Sequence, residues 1–276
     1  MHGTRGSIPS PGPSTVRFGG NTTCVSVEWG DDAILVLDAG SGIRALGEEL
    51  WDDDREIILL LTHVHWDHVQ GFPFFKPLYQ PGRKVSILLP ESDWVHCLRQ
   101  TMDGTFYFPM DFDNLPSDRR FISEGIPDFL ATHGLSMASI QTNHPGLCFG
   151  YRIERNGQSV VFMPDNEIVA PVEHTSLEKF AAFSRDADLL IHDGQYTEAD
   201  LPAKQGWGHS TPGMVAQLAN RSGARKLTLT HHDPNRSDAE VERIAETASQ
   251  YLLDLGSKAT CAAAAEGDQF QLGPDS

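Results

Sequence analysis

Long apolar runs are missing from this 276-residue chain. None approaches the roughly 20 residues a helix needs to cross a bilayer, so no membrane span is expected. The opening MHGTRGSIPSPGP carries no apolar core of the kind an export signal uses, and a cytoplasmic location is the expectation. Cysteine is scarce. Cys24, Cys97, Cys148 and Cys261 are widely scattered, without the paired spacing of a thiolate metal site, and reduced thiols are the simplest account. Positive charge is also short: 21 Lys and Arg face 38 Asp and Glu, a formal charge of −17, and no basic cluster stands out. Proteins that grip a long nucleic acid normally carry such a cluster, because it releases counterions from the phosphates. No large nucleic acid is therefore expected as a partner. The chain also lacks a linker, a low-complexity tract and an internal repeat, while its 39% hydrophobic content is enough for a core.

What is present is a mixture of strand-like and helix-like segments. Apolar runs at residues 24–29, 33–38, 56–62, 85–89, 147–153, 159–165, 188–193 and 226–232 predict strands. Helical periodicity falls near 41–51, 92–101, 175–184, 212–222 and 238–254. With no linker to divide them, these elements predict one α/β domain over residues 1–276.

The densest feature is LTHVHWDHVQG, residues 61–71, which places His63, His65, Asp67 and His68 directly behind a strand. His63 and His65 share a face by the two-residue strand period, and Asp67 and His68 follow on the turn. Borderline cations such as zinc take imidazole nitrogen and carboxylate oxygen, so the run reads as the core of a two-metal site. A polar loop rich in histidine by chance is the plain alternative. Two ions that each need about four ligands cannot be completed by these side chains, so more must come from downstream. Asp165 after SVVFMP, His192 and Asp193 after DLLI, and His231 and His232 after KLTLT all end strands, and His144 in TNHPG just precedes one. Strand ends that converge on one rim are where α/β folds place their sites.

LTHVHWDH resembles the H-x-H-x-D-H signature of the metallo-β-lactamase superfamily. His144, Asp165 and His231 fall in the order of that family's third histidine, bridging aspartate and last histidine. The resemblance implies an αββα sandwich with a dinuclear site at the shared edge of its two sheets. One divalent ion would sit on His63, His65 and His144 and the other on Asp67, His68 and His231, with Asp165 bridging; His232 is the second candidate for the last ligand. Zinc is the expected metal, with manganese and iron open, because nitrogen and oxygen donors accept all three. LIHDGQYTEAD, with His192 and Asp193, resembles the H-E-A-T motif of the transfer-RNA 3′-processing branch, Asp193 standing for the glutamate. GHSTP, with His209, Ser210 and Thr211, matches the H-S-T motif of the same branch. The opening GTRGSIPSPGPSTVRFGGNTTCVSV, followed by LDAGSGIR, resembles small bacterial relatives described as cyclic-phosphate or cyclic-nucleotide phosphodiesterases. The chain departs from the transfer-RNA endonucleases in having no long basic arm or clamping insertion, and its first strand is short of apolar residues before GTRGS.

These features imply a metal-dependent phosphodiesterase acting on a small cyclic phosphodiester. The net charge is no obstacle to such a substrate, since two divalent cations add four positive charges locally. Metal-activated hydroxide would attack, with Asp67 among the catalytic carboxylates, while His209 protonates the leaving alkoxide and Asp193 sets its tautomer. Ser210 and Thr211 are expected to contact substrate. Phe106, Tyr107 and Phe108 are either core or a stacking surface for a nucleobase. Asp38, which ends a strand, either caps the following helix or orients a ligand histidine. His2, His96, His133 and His174 match no motif. A thioester or lactam hydrolase on the same cage is one rival and would not need Asp193 and His209; a transfer-RNA 3′-endonuclease is another. A di-iron reductase is disfavoured because such relatives carry glutamate where this chain has His65, and intact ligands disfavour a non-catalytic scaffold. A homodimer is left open.

Overall fold

Strands that are apolar at every position are stable only where both faces are covered. The fold supplies that cover in a computed structural model describing residues 1–273. One sheet runs β1 (Val25–Glu28), β2 (Ala33–Leu37), β3 (Glu56–Leu60), β4 (Lys84–Leu88) and β5 (Asp118–Ile122) in that spatial order. β1 is antiparallel to β2, and the other neighbours are parallel. The second sheet holds β6 (Ser136–Gln141), β7 (Phe149–Arg155), β8 (Gln158–Met163), β9 (Leu189–Asp193), β10 (Lys226–Thr230) and β11 (Thr260–Ala263). Its order is β11-β10-β9-β8-β7-β6, antiparallel from β6 to β8 and parallel from β8 to β11. The helices are α1 (Ile43–Glu49), α2 (Trp66–Val69), α3 (Trp94–Thr101), α4 (Ile126–Thr132), α5 (Leu177–Phe183), α6 (Leu201–Lys204), α7 (Pro212–Ser222) and α8 (Asp238–Asp254).

Alternation along each strand sorts side chains into three apolar layers. Leu35, Leu37, Ile58 and Leu60 of the first sheet meet Tyr151, Ile153, Phe162 and Ile191 of the second. The opposite face of the first sheet, with Ile34, Val36, Ile57 and Leu59, packs on Ile43 and Leu46 of α1 and Leu98 of α3. That of the second, with Val161, Leu190, Leu227 and Leu229, packs on Phe180 of α5, Val215 and Leu218 of α7, and Ile244 of α8. The result is the αββα sandwich. Burial of each such side chain contributes about 1.5–3 kcal/mol, so the layers fix the two sheets firmly against each other. Near the site, the Tyr151 hydroxyl donates to the Leu61 carbonyl (2.6 Å) and the Phe149 N–H donates to that of Thr62 (3.0 Å), which locks the sheets in register where β3 ends.

All eight expected strands form. β5 (DRRFI), β6 (SMASIQ) and β11 (TCAA) were not expected: each lies at the edge of its sheet or pairs on one side only, so burial imposes no apolar run on it. α7 and α8 have the expected bounds because their ends are marked chemically. Thr211 caps α7 and Gly223 closes it at φ +71°, while Ser237 and Glu240 form a capping box at the start of α8. No helix among the described residues is long and apolar enough to cross a membrane.

Candidate metal centre

The C-terminal ends of β2, β3, β8, β9 and β10 deliver Asp38, His63, Asp165, Asp193 and His231 to one edge of the sandwich. α2 adds Asp67 and His68, and the loop before β7 adds His144. Their potential ligand atoms fall within 4.8 Å of one another in overlapping groups: His63, His65 and His144; His63, His68 and Asp165; Asp67, His68 and His231. Asp165 lies between them, its Oδ1 3.0 Å from His68 Nε2 and 3.3 Å from His231 Nε2, and its Oδ2 3.6 Å from His144 Nε2 and 3.8 Å from His63 Nε2. Asp67 Oδ2 is 3.0 Å from His231 Nε2.

The outer nitrogen of nearly every histidine in the cluster is held. Nδ1 of His68 donates to Asp38 (2.8 Å), that of His144 to the Gly208 carbonyl (3.1 Å), and that of His231 to Gln195 Oε1 (3.0 Å); His63 Nδ1 lies 3.0 Å from the Thr62 hydroxyl. These bonds leave Nε2 as the inward-facing nitrogen, the arrangement in which an outer partner fixes a ligand's tautomer and raises its basicity. Asp38 does more than turn the chain. It sits at φ +63°, accepts from the Thr62 N–H (2.7 Å), and is fully buried against His68. Two glycines are explained by the same crowding: a Cβ on Gly6 would lie 2.4 Å from the His231 ring, and one on Gly208 2.2 Å from His144 Nδ1.

Burial works against ionised carboxylates here, yet the surrounding imidazoles outweigh it and hold both Asp67 and Asp165 well below the usual carboxylate range. Burial likewise pushes His63 down and His144 to about 4, whereas Asp165, Asp67 and Asp38 more than offset it at His68 and raise that group. Ionised carboxylates are the form that binds a cation, and a cation there would take the place of the protons that these carboxylates hold on His68 and His231. Two atoms strengthen the fit: His63 Nε2 and Asp165 Oδ1 are buried without a hydrogen-bond partner, and both face the cluster's interior. Orphaned buried polar atoms are destabilising, and a cation among them would relieve that. The donor set suits divalent ions.

His231, not His232, joins the cluster. The two are neighbours at a strand end and so point apart; His232 Nε2 donates to the Ala264 carbonyl (2.9 Å). His192 and Asp193 separate in the same way. His192 Nδ1 donates to the Asp193 carbonyl (2.8 Å) and its Nε2 accepts from Asn166 Nδ2 (3.1 Å), a packing role, while the Asp193 carboxylate turns inward. Its Oδ2 accepts from His209 Nδ1 at 2.6 Å, and the far side of the His209 ring meets His144 and Asp165. Burial, with His231 adding to it, pushes His209 down to about 3, and burial pushes Asp193 up.

The expected substrate contacts of the H-S-T segment need correction. Ser210 Oγ donates to the Asn166 carbonyl (2.6 Å) and accepts from the Ile168 N–H (3.1 Å), and Thr211 Oγ1 accepts from Met214 N–H at the start of α7 (3.5 Å). The Ser210 hydroxyl is thus committed to backbone both as donor and as acceptor, and Thr211 serves as the cap of α7. Phe106 and Tyr107 are 94% and 75% exposed, so they are not core, and among the described residues no hydrogen bond or ring contact joins them to the cluster. Phe108 packs edge-on against Phe74. No residue pattern had marked Gln195, Glu167 or the Gly208 carbonyl. Glu167 accepts from the N–H groups of Gly206 and Gly208 and so fixes the loop that holds His144.

The family profile described as beta-lactamase superfamily domain matches residues 34–232, and the chain belongs to that superfamily. Within it, this protein is a metal-dependent hydrolase. It is 36% identical to a ribonuclease Z of Pseudomonas putida, over 73% of this chain and 77% of the relative, and 24% identical to one of Methanosarcina acetivorans, over 88% and 89%. Among solved structures it resembles the metallo-beta-lactamase fold protein YhfI from Bacillus subtilis, with a TM-score of 0.68 at 19% identity over 97% and 96% of the two chains. It also resembles a diphosphatase of the PhnP family, with a TM-score of 0.61 at 17% identity over 87% and 88%. The relatives overturn one expectation. Ribonucleases act on RNA, so the acidic balance of the chain does not exclude a large nucleic acid. Net charge is summed over the whole surface, whereas a phosphate is bound by the local field of a site in which divalent ions reverse the sign.

Proposed function

We propose that the protein is a dinuclear-metal phosphodiesterase. His63, His65 and His144 would hold one ion and Asp67, His68 and His231 the other, with Asp165 shared. The ions supply, when bound, a water of lowered pKa and positive charge for the phosphoryl oxygens. The observation that carries the reading is the 2.6 Å bond between Asp193 and His209, set against the cluster and buried. A thioester hydrolase has little use for it, because a thiolate leaves without a proton, whereas an alkoxide needs one.

The pair acts as a unit. Burial disfavours an isolated carboxylate and an isolated imidazolium alike, and the two settle it by sharing one proton between Asp193 Oδ2 and His209 Nδ1. As the general acid, His209 would carry on Nε2 the proton given to the leaving oxygen. Asp193 is itself fixed by the N–H groups of Gln195 (2.8 Å) and Asn166 (3.3 Å), so the imidazole is held in one orientation.

The finer reading is a small cyclic diester, a cyclic nucleotide or a phosphoribosyl cyclic phosphate, favoured by the resemblance of the opening segment. RNA cleavage is the second reading, favoured by the 36%-identical ribonuclease Z. Zinc-loaded protein assayed against 2′,3′- and 3′,5′-cyclic nucleotides, a precursor transfer RNA and a thioester tests them together. Turnover of the thioester alone would sink the phosphodiesterase reading.

A further inference from the structure

Within the cluster, His63, Asp67, His68, His144, Asp165 and His231 are buried, while His65 is exposed, which puts the mouth of the site on the His65 side. Trp66 follows His65 directly and opens α2, yet its side chain is 55% exposed. The opposite wall is reached in two contacts. His65 Nδ1 lies 3.0 Å from His144 Nε2, and His144 Nδ1 donates to the carbonyl of Gly208 at 3.1 Å; the preceding residue, Trp207, is 59% exposed. Both indoles are carried on stiff backbone. The His65 carbonyl accepts from the His68 N–H and that of Trp66 from Gln70, while Glu167 clamps the N–H groups on both sides of Trp207. Among the described residues, neither indole forms a hydrogen bond. Single exposed apolar side chains are ordinary. Here one indole adjoins a ligand histidine and the other adjoins the glycine that holds a second ligand, both on hydrogen-bonded chain.

The geometry points to Trp66 and Trp207 as the stacking surfaces that recognise a nucleobase, so that the preferred substrate is a nucleoside phosphodiester rather than a base-free one. This rests on the phosphodiesterase reading. Every base has a π-face, so an indole beside the mouth binds nucleotides with little regard to sequence, and loss of such a platform weakens binding by about 5- to 150-fold. The test compares 2′,3′-cyclic AMP with methyl ribofuranoside 2,3-cyclic phosphate, which keeps the reacting group and lacks the base. Trp66→Ala and Trp207→Ala should raise KM for the nucleotide by about 5- to 150-fold with kcat little changed, and should affect the base-free ester far less. Trp66→Phe should keep most of the nucleotide preference, which separates stacking from a packing defect. Equal losses on the two esters, or none on the nucleotide in either alanine variant, would overturn the assignment. Should the wild type hydrolyse neither ester, the 2′,3′-cyclic diester is excluded as substrate, separately from the stacking. Tryptophan fluorescence then decides the stacking: AMP should quench wild type and ribose 5-phosphate should not, with the quench lost in Trp66→Phe/Trp207→Phe. Quenching by both ligands or by neither would refute it.

Discussion

Replacing His209 by alanine removes one proton donor and, among the described residues, breaks no hydrogen bond to a cluster ligand, although the ring stacks on His231 (centroids 5.0 Å apart) and meets His144 edge-on. Asp193 loses its 2.6 Å partner but keeps the N–H groups of Gln195 and Asn166, so the buried carboxylate is not orphaned. The expected cost in stability is about 1–3 kcal/mol, the range for depriving a buried acceptor of one partner. The catalytic cost depends on the leaving group. General acid catalysis contributes ~10²–10⁴-fold, about 2.7–5.5 kcal/mol of barrier, to a reaction that expels an alkoxide. A nitrophenolate is a stable anion and needs no proton, so an aryl diester should lose about tenfold or less. The assay is kcat/KM for a ribose diester and for bis(p-nitrophenyl) phosphate in wild type, His209→Ala and Asp193→Asn, with metal content measured alongside. Asp193→Asn should fall in the same direction but less far, since it upsets the imidazole's tautomer without removing it. Equal losses on the two esters, appearing in KM, would refute the general-acid assignment and leave His209 as a ground-state phosphate contact.

Asp38→Asn should weaken metal affinity by about 10- to 100-fold in a chelator competition while the fold survives, because asparagine tolerates the φ of +63° but no longer offers a carboxylate to His68. Unchanged affinity would mean that Asp38 only turns the chain. Gly208→Ala places a Cβ 2.2 Å from His144 Nδ1 at φ +88°. It should lower stability by about 1–3 kcal/mol in thermal unfolding and lower metal content as well, because His144 must move; full metal occupancy in the variant would contradict the close fit.

Much of the site was legible because ligand chemistry leaves a dense signature. His63, His65, Asp67 and His68 crowd one strand end, and Asp165 and His231 end two more strands. The choice between His231 and His232 was not legible in the same way, because it depends on one step of strand alternation at a chain reversal, and His231 makes that turn at φ +59°. Gln195 and Glu167 act through single hydrogen bonds to a ligand or its loop, and no residue pattern announces such a bond. The backbone bonds of Ser210 escaped for a related reason: a hydroxyl near a site looks the same in sequence whether it meets substrate or backbone. The edge strands β5, β6 and β11 escaped because polar composition is what an edge tolerates.

Metal-free protein is titrated with Zn²⁺ while hydrolysis of bis(p-nitrophenyl) phosphate is followed, with Asp165→Ala run in parallel. The cluster predicts activity that rises to a plateau near two equivalents per chain, and an Asp165→Ala variant that binds metal poorly and stays inactive, since that carboxylate lies within 4 Å of four of the histidines. A plateau at one equivalent, or no diester hydrolysis at any metal level, would contradict it.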